Sequence, residues 1–335
     1  MVSKRILWVP ITLLLCMCLD IHAFQAMILK NVFRPLYMTV GNESIYIVDE
    51  KEIKVFSKKT LEYRHSIGKT GEGPGEFVGF PFPQILKDRV LVFSVGKISY
   101  FGKDGTLIIE RKIPGGTQWV KQVNPKRYIG FMLKPAADDF YIAYKLLDEN
   151  LRIMMELYRG RFILHRDRTR DLFELTFLDA HEGKIVYAHN DGSFAVDVLD
   201  PDGKVHAQIK RSDERIPFGE ANKDRMFAFY ENHPLYKESF QRMKERIVIP
   251  DYFPAILNCK VADNKIYIIT FRVKDGENEC FVYNLDGSLL RRTFIDLKGE
   301  SPDKKDTPFT IFNGRLYQLV ENPDDENWYL YVSDI

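Results

Sequence analysis

The feature that most constrains the fold of this chain is a short strand-like segment that recurs six times. Each copy follows a polar turn and is rich in the β-branched and aromatic residues of β-strands. The copies read SIYIVD (44–49), RVLVFS (89–94), RYIGFML (127–133), KIVYAH (184–189), KIYIIT (265–270) and RLYQLV (315–320). Most of them start ~40–50 residues apart, which is the period of a propeller blade. The spacing therefore predicts one ring of six blades.

A second alternating run follows each copy and predicts the third strand of each blade. These runs are IKVFS (53–57), ISYFG (98–102), RIMMELY (152–158), FAVDVLD (194–200), CFVYNLD (280–286) and WYLYVSD (328–334). Three of them continue into the turns GKDG, DPDG and NLDG, in which Asp-Gly supplies the positive φ of a tight hairpin. We therefore expect three or four antiparallel strands in each blade.

The interval between the fourth and fifth copies is too long for one blade, and the excess lies in residues 212–250. The segment Glu220–Asn232 predicts one short helix. A second helix is indicated by four apolar residues at helical spacing, Tyr236, Phe240, Met243 and Ile247. We expect a helical hairpin inserted between blades 4 and 5.

The two ends of the chain complete one blade. The last unit, residues 306–335, has only three strands, and the apolar segment 24–32 has no partner of its own. Pairing the two would close the ring and remove an exposed sheet edge. The sequence therefore predicts an all-β fold, a six-bladed β-propeller closed by its N-terminal strand, as a single domain over residues 24–335.

Residues 1–23 have the order of a secretory signal peptide. Lys4 and Arg5 precede an apolar run over residues 6–19, and Ala23 is a small residue suited to cleavage. The run is shorter than the ~20 residues that span a membrane comfortably. We expect an exported protein, periplasmic or secreted, with no stable membrane span after cleavage. An uncleaved N-terminal anchor is the alternative.

Two cysteines remain outside the signal, Cys259 and Cys280. The predicted strands place them on the first and third strands of one blade. Their Cα atoms would then lie ~10 Å apart, beyond the reach of a disulfide. We expect two free thiols.

A glycine-rich motif joins the first two blades. Its residues are Gly71, Gly73, Pro74, Gly75, Glu76 and Phe77. The segment is not a P-loop, because Tyr63 stands where that motif needs its first glycine and no helix follows. We interpret it as a structural turn. With its apolar, proline-containing continuation, it resembles the NHL-type six-bladed propellers, and more closely an exported bacterial family that carries G-x-G-x-G-P-G-E-F at this junction.

Two groups of residues are candidates for contact with a partner. The first is the arginine-rich segment 159–170, interpreted as a loop between blades 3 and 4, which is either a solvated connector or a docking patch for an anion; it holds Arg159, Arg161, Arg166, Arg168 and Arg170. The second group lies in the insert and comprises Tyr230, Tyr236 and Phe240. The formal net charge of +1 and the absence of aromatic stacking patterns argue against nucleic acid.

The predicted inner strands hold few groups for catalysis. They read PLYMTV (35–40), PFPQIL (81–86), QWVKQV (118–123), LFELTF (172–177), PAILNC (254–259) and TPFTIF (307–312). As candidates for catalysis they supply Lys121, Gln122, Glu174 and Asn258, with no inward histidine and few acids. We therefore expect a monomeric, non-enzymatic binding or scaffold module without a cofactor, which takes a protein or small ligand at the mouth beside the insert. The alternative is an enzyme of the lactonase, lyase or hydrolase type with a divalent metal in the channel.

Overall fold

The structure is a computed structural model. It describes residues 26–135, 140–162, 170–171, 173, 177–189, 192–212, 214–233, 236–299, 301, 304 and 307–335. The expected signal peptide, residues 1–23, lies outside the described residues, as do Arg166, Arg168 and Glu174.

The described residues form six four-stranded antiparallel sheets, the blades of one β-propeller, which confirms the predicted fold class. The chain begins with β1 (Met27–Leu29), which belongs to blade 6. Blade 1 holds β2 (Pro35–Val40), β3 (Ser44–Asp49), β4 (Glu52–Ser57) and β5 (Tyr63–Ile67). Blade 2 holds β6 (Phe82–Ile85), β7 (Arg89–Ser94), β8 (Lys97–Gly102) and β9 (Leu107–Lys112). Blade 3 holds β10 (Thr117–Asn124), β11 (Arg127–Pro135), β12 (Phe140–Asp148) and β13 (Ile153–Phe162).

The second half of the ring follows the same order, from an inner strand to an outer one. A short strand, β14 (Arg170–Asp171), precedes blade 4. Blade 4 holds β15 (Phe177–His181), β16 (Lys184–Ala188), β17 (Phe194–Leu199) and β18 (Val205–Arg211). The insert then contributes α1 (Glu220–Asn232), α2 (Lys237–Met243), a 3-10 turn (Lys244–Arg246) and β19 (Ile247–Val248). Blade 5 holds β20 (Asn258–Ala262), β21 (Lys265–Lys274), β22 (Glu277–Asn284) and β23 (Leu289–Ile295). Blade 6 holds β24 (Phe309–Phe312), β25 (Arg315–Asn322) and β26 (Asn327–Asp334), together with β1.

The inner strands of the six blades surround a central channel. Each of them contacts the inner strands of both neighbouring blades, so the ring is closed. Six apolar clusters fill the gaps between adjacent blades. Val55 of blade 1 and Val92 of blade 2, for example, share one cluster and are fully buried. This burial, at ~25 cal/mol per Å² of apolar surface, is the main force that joins the blades.

The ring closes as predicted. β1 pairs antiparallel with β26, which places Met27 opposite Leu330 and Leu29 opposite Trp328. The N-terminal strand thereby becomes the outer strand of the last blade and covers an edge that would otherwise be open to pairing with another chain.

A buried ion pair ties this strand to blade 1. We call the group formed by Asn31, Phe33, Arg34, Asp49 and Lys54 the closure seam. Lys54 Nζ donates to an oxygen of Asp49 at 2.6 Å and also to the carbonyl of Asn31. The other donors to the Asp49 carboxylate are the backbone amides of Phe33 and Arg34, at 3.0 and 2.5 Å. The buried charges of Asp49 and Lys54 are therefore matched inside the protein.

The helical insert lies between blades 4 and 5, as expected. α1 has the predicted bounds, but the second helix ends at Met243, and Ile247 belongs to β19, which pairs in parallel with β14. The insert joins the outer strand of blade 4 to the inner strand of blade 5. It therefore lies on the face of the ring where inner strands begin, here called the insert face. The opposite face, where inner strands end in hairpins, is the cavity face.

Three strand assignments from the sequence are wrong. In blade 3, RIMMELY lies in the fourth strand, β13, and the third strand is β12, whose alternation over residues 140–148 was missed. In blades 4 and 5 the inner strands are β15 and β20, which start several residues later than LFELTF and PAILNC. Phe173, which lay in the predicted strand of blade 4, and Phe253, just before that of blade 5, instead form an aromatic cluster with Phe218 and Phe271.

Cys259 lies on β20 and Cys280 on β22, with β21 between them, as the sequence predicts. Both thiols are free and buried. Across the described part of the chain, the helices are too short or too polar to cross a membrane.

Candidate ligand site in the central channel

A cavity of about 710 Å³ occupies the channel and opens on the cavity face. Every blade contributes a polar side chain from its inner strand to the wall. In blade order these are Tyr37, Gln84, Lys121, Asp179, Lys260 and Thr310. The hairpins that follow the inner strands form the rim. The site is thus assembled from residues far apart in sequence.

The alternation of the inner strands explains why these side chains face the channel. Successive residues of a strand point to opposite sides. In β20, Cys259 is buried in the core between blades, and the next residue, Lys260, lines the cavity. In β2, Met38 is buried, whereas Tyr37 and Thr39 line the cavity.

Lys121 and Asp179 form an ion pair across the gap between blades 3 and 4. Lys121 Nζ donates to Asp179 Oδ1, which also accepts from the backbone amide of Ala180 at 2.7 Å. The two charged side chains are 21% and 23% exposed, so water from the cavity reaches both. Burial acts to lower the pKa of Lys121, but Asp179 and Tyr37 outweigh it, and the pKa is raised.

Lys260 approaches the same space from blade 5. Among the described residues, no carboxylate lies within ion-pair distance of its Nζ, which sits 4.8 Å from the ring centre of Phe309. Burial lowers the pKa of Lys260; Asp179 opposes this effect and the like charge of Lys121 adds to it. The cavity wall therefore holds two ammonium groups and one carboxylate.

The rim carries charges of both signs. His181 ends β15, and its Nε2 accepts a hydrogen bond from the backbone amide of Asn264 at 3.3 Å. Burial lowers the pKa of His181, although neighbouring carboxylates, led by Glu182, oppose this. The remaining charged side chains of the rim are Glu43, Arg64, Lys87, Lys103 and Asp263.

The side chains of the cavity wall are poor ligands for a divalent metal. Calcium and magnesium take several oxygen ligands, chiefly carboxylates. Asp179 is the single carboxylate on the described inner strands and is engaged by Lys121. No group of three His, Cys, Asp or Glu side chains converges anywhere in the described residues. The wall is built instead from ammonium and hydroxyl groups.

The arginine-rich segment is not a simple loop. Arg159 and Arg161 lie in β13, the outer strand of blade 3, and Arg170 lies in β14. The Arg159 side chain is 69% exposed, pairs with Glu156 and stacks over the ring of Tyr141. The structure therefore places Arg159 at the outer edge of blade 3, away from the channel.

The three aromatic residues proposed for partner contact pack against each other. The ring of Tyr230 stacks on Phe240, with 5.5 Å between centroids, and meets Tyr236 edge-on at the same distance. Phe240 is only 5% exposed. These rings form the small core of the insert, on the face opposite the open cavity.

The glycine motif is a structural turn in its geometry. Glu76 accepts the backbone amide of Gly73 at 2.9 Å and pairs with Lys69 at 3.1 Å. Phe77 is fully buried, and its ring leaves no space for a Cβ at Gly68, which has φ +67°. Glu110 accepts the amide of Gly75 from a neighbouring strand. Gly71 and Pro74 complete the turn without reaching the cavity.

Sequence reasoning found part of the wall. It placed Lys121 in the channel, and it put Gln122 and Asn258 on inner strands. It missed Tyr37 as a wall residue, and it missed Asp179 and Lys260 because their strands were assigned too early. A polar residue between two apolar ones, as in Leu178-Asp179-Ala180, was the available signal.

Comparison with known proteins found similarity in overall shape only, and at a low level. No protein-family model matches it, and no curated protein matches it in sequence. Among solved structures it is similar to Kluyveromyces lactis Hsv2, with 9% identity, a TM-score of 0.39, and 90% of this chain and 98% of that one covered. It is also similar to the Neurospora crassa Pan2 WD40 domain, with 11% identity, a TM-score of 0.40, and 90% and 89% covered. Similarity at this level carries no argument about function, and the fold assignment rests on the strand pairing itself.

Proposed function

We propose that this protein is a non-enzymatic binding propeller that holds a small ligand in its central channel. The observation that carries the proposal is the cavity of about 710 Å³, to which all six blades give a polar wall residue. Its volume lies within the ~300–1,000 Å³ typical of ligand pockets. A closed ring of packed blades keeps such a pocket formed in advance, which reduces the entropy lost on binding.

The chemistry of the wall favours binding over catalysis. General acid–base catalysis needs a titratable group placed against the substrate, commonly paired with a second group. The inner-strand carboxylate, Asp179, is already paired with Lys121, and His181 stands at the rim with its Nε2 engaged. The wall groups left unpaired on the inner strands are hydroxyls and one ammonium, which hold a ligand without transforming it.

The first residues of the chain support an exported location. The basic, apolar and small-residue order of residues 1–23 supports export to the periplasm or the extracellular space. The resemblance of residues 68–77 to an exported bacterial six-bladed family supports the same location. A ring that closes on its own N-terminal strand needs no second copy to cover its edges, and we propose a monomer.

Ligand-observed NMR with a mixture of small metabolites tests the proposal. We expect the wild-type protein to bind at least one component. Thr310→Trp, which fills the cavity from blade 6, is expected to abolish that binding. Thr60→Trp serves as the matched control, because Thr60 is exposed and outside the cavity. Binding that survives Thr310→Trp as well as Thr60→Trp would show that the channel is not the site.

A further inference from the structure

The wall of the cavity carries an unbalanced positive charge. Lys121 and Asp179 neutralise each other through their ion pair. Lys260 has no carboxylate partner among the described residues. The remaining inner-strand wall residues are neutral. Any occupant of the cavity therefore meets one excess ammonium group, on blade 5.

An unpaired ammonium in a partly buried place is costly to keep. Loss of hydration opposes the charged form, and only an opposite charge or a set of acceptors restores what water supplied. The ring of Phe309 offsets part of this loss through a cation–π contact. A negative group beside Nζ would supply the counter-charge that the protein itself lacks.

Hydroxyl groups surround the same space. Tyr37, Thr39 and Thr310 line the cavity, and their hydroxyls make no hydrogen bond to other described residues. Burial raises the pKa of Tyr37, so its hydroxyl stays protonated and able to donate. Gln84 is not available in this way, because its amide is already bonded to the backbone of Gln122 at 2.8 Å on both atoms.

One ammonium together with several hydroxyl donors is a donor set for an oxyanion. Carboxylate and phosphate oxygens accept several hydrogen bonds each, and bonds between charged partners are roughly twice as strong as neutral ones. A divalent cation, in contrast, would meet two positive lysines and one carboxylate that is already paired. The electrostatics of the wall thus select the sign of the ligand.

We infer that the ligand of the channel is a small molecule bearing a carboxylate or a phosphate, and that this group binds at Lys260. The inference rests on the proposed function, since it names the chemical class of ligand for the same cavity. Lys121 stays paired with Asp179, so the inner-strand wall keeps a single excess positive charge, that of Lys260. The rest of the ligand occupies the space toward the rim.

Isothermal titration calorimetry with three probes tests the inference in phosphate-free, low-salt buffer. Succinate supplies carboxylates, inorganic phosphate supplies the other source, and succinamide is the neutral analogue of succinate. We expect at least one anion to bind and succinamide not to bind. The variant Lys260→Met is expected to weaken anion binding at least tenfold, and Lys260→Arg to retain most of it. Lys126→Met is the matched control, since Lys126 is exposed and does not line the cavity.

The outcomes separate this inference from the proposal on which it rests. If neither anion binds, or if Lys260→Met and Lys126→Met bind equally well, the anion inference is wrong. A neutral ligand that Thr310→Trp excludes but Lys260→Met still binds would defeat the anion inference and leave the binding function intact. The unfolding midpoint of Lys260→Met verifies that lost binding does not come from a lost fold.

Discussion

The closure seam and the channel are both built on a lysine–aspartate pair, and the two pairs differ in what surrounds them. At the seam, the Lys54 and Asp49 side chains are 9% and 2% exposed, and backbone groups take up their remaining hydrogen bonds. In the channel, Lys121 and Asp179 are about one-fifth exposed, and Lys260 adds a charge without a partner. A buried charge that is paired within the protein stabilises the fold. An unpaired charge beside a cavity remains available to bind a ligand.

This difference predicts opposite responses to the same kind of substitution. Removing one member of a matched buried pair strands the other charge, whereas removing an unmatched charge relieves the protein. Substitutions in the closure seam should therefore lower stability, whereas substitution of Lys260 in the channel should lower ligand binding. Four measurements test that separation.

The largest effect is expected for Lys54→Met at the closure seam. The substitution leaves the buried Asp49 carboxylate without its cation, and such losses cost about 3–5 kcal/mol. Urea unfolding should show this as a lower free energy of unfolding. Lys59→Met, at an exposed lysine of the same blade, should stay within about 0.5 kcal/mol of the wild type. A loss at Lys54 as small as that of the control would mean that the seam does not secure the ring.

A smaller loss is expected for Asp179→Asn in the channel. The substitution leaves Lys121 and Lys260 as two ammonium groups in one cavity, at a cost of about 1–2 kcal/mol because water partly screens them. Lys121→Met should cost less, since Asp179 is still attracted by Lys260 across the cavity, beyond ion-pair distance. If urea unfolding shows a larger loss of stability for Lys121→Met than for Asp179→Asn, the charge of Asp179 does not interact with that of Lys260.

Lys260→Met should have the opposite sign. The long apolar side chain keeps the contact with Phe309 and removes a charge that burial disfavours. We expect the free energy of unfolding to stay unchanged or to rise by up to about 1 kcal/mol, as at sites where function is kept at the expense of stability. A loss of stability comparable to that of Lys54→Met would make Lys260 a structural residue and erase the contrast.

The same contrast explains what the sequence could predict. The closure of the ring was predictable because β1 is apolar and lacked a partner, and the second strands were predictable because they alternate between two apolar cores. The inner strands of blades 4 and 5 were not. These strands were sought as apolar runs. One side of an inner strand faces the channel, however, and carries polar residues such as Asp179 and Lys260.

The aromatic residues of the insert have a packing role that the sequence did not show. Its Tyr and Phe residues suggested a site for partner contact, and a helical hairpin on top of a ring also builds a small core of its own. Tyr230 and Phe240 supply that core. Sequence alone also could not show that one residue from each of the six blades lines the same cavity. The wall residues are separated by whole blades and share no linear motif.

The smallest expected effect concerns pH and belongs to the channel rim. Burial holds the pKa of His181 below 6.5, so the folded protein favours the neutral ring. Above pH 6.5 both states are neutral and the full stability is present. As the pH falls below 6.5, the unfolded chain binds the proton first, and stability is lost until the folded pKa is passed.

His181→Gln should flatten this pH dependence, because glutamine keeps an acceptor for the amide of Asn264 but does not titrate. The measurement is the free energy of unfolding between pH 7.5 and 5, compared for the wild type and the variant. Burial also lowers the pKa of His65, so a residual slope of the same sign should remain in the variant. If the wild-type stability instead rises on acidification and His181→Gln removes that rise, His181 is held in its charged form, and the rim of the cavity adds to the positive charge of Lys260.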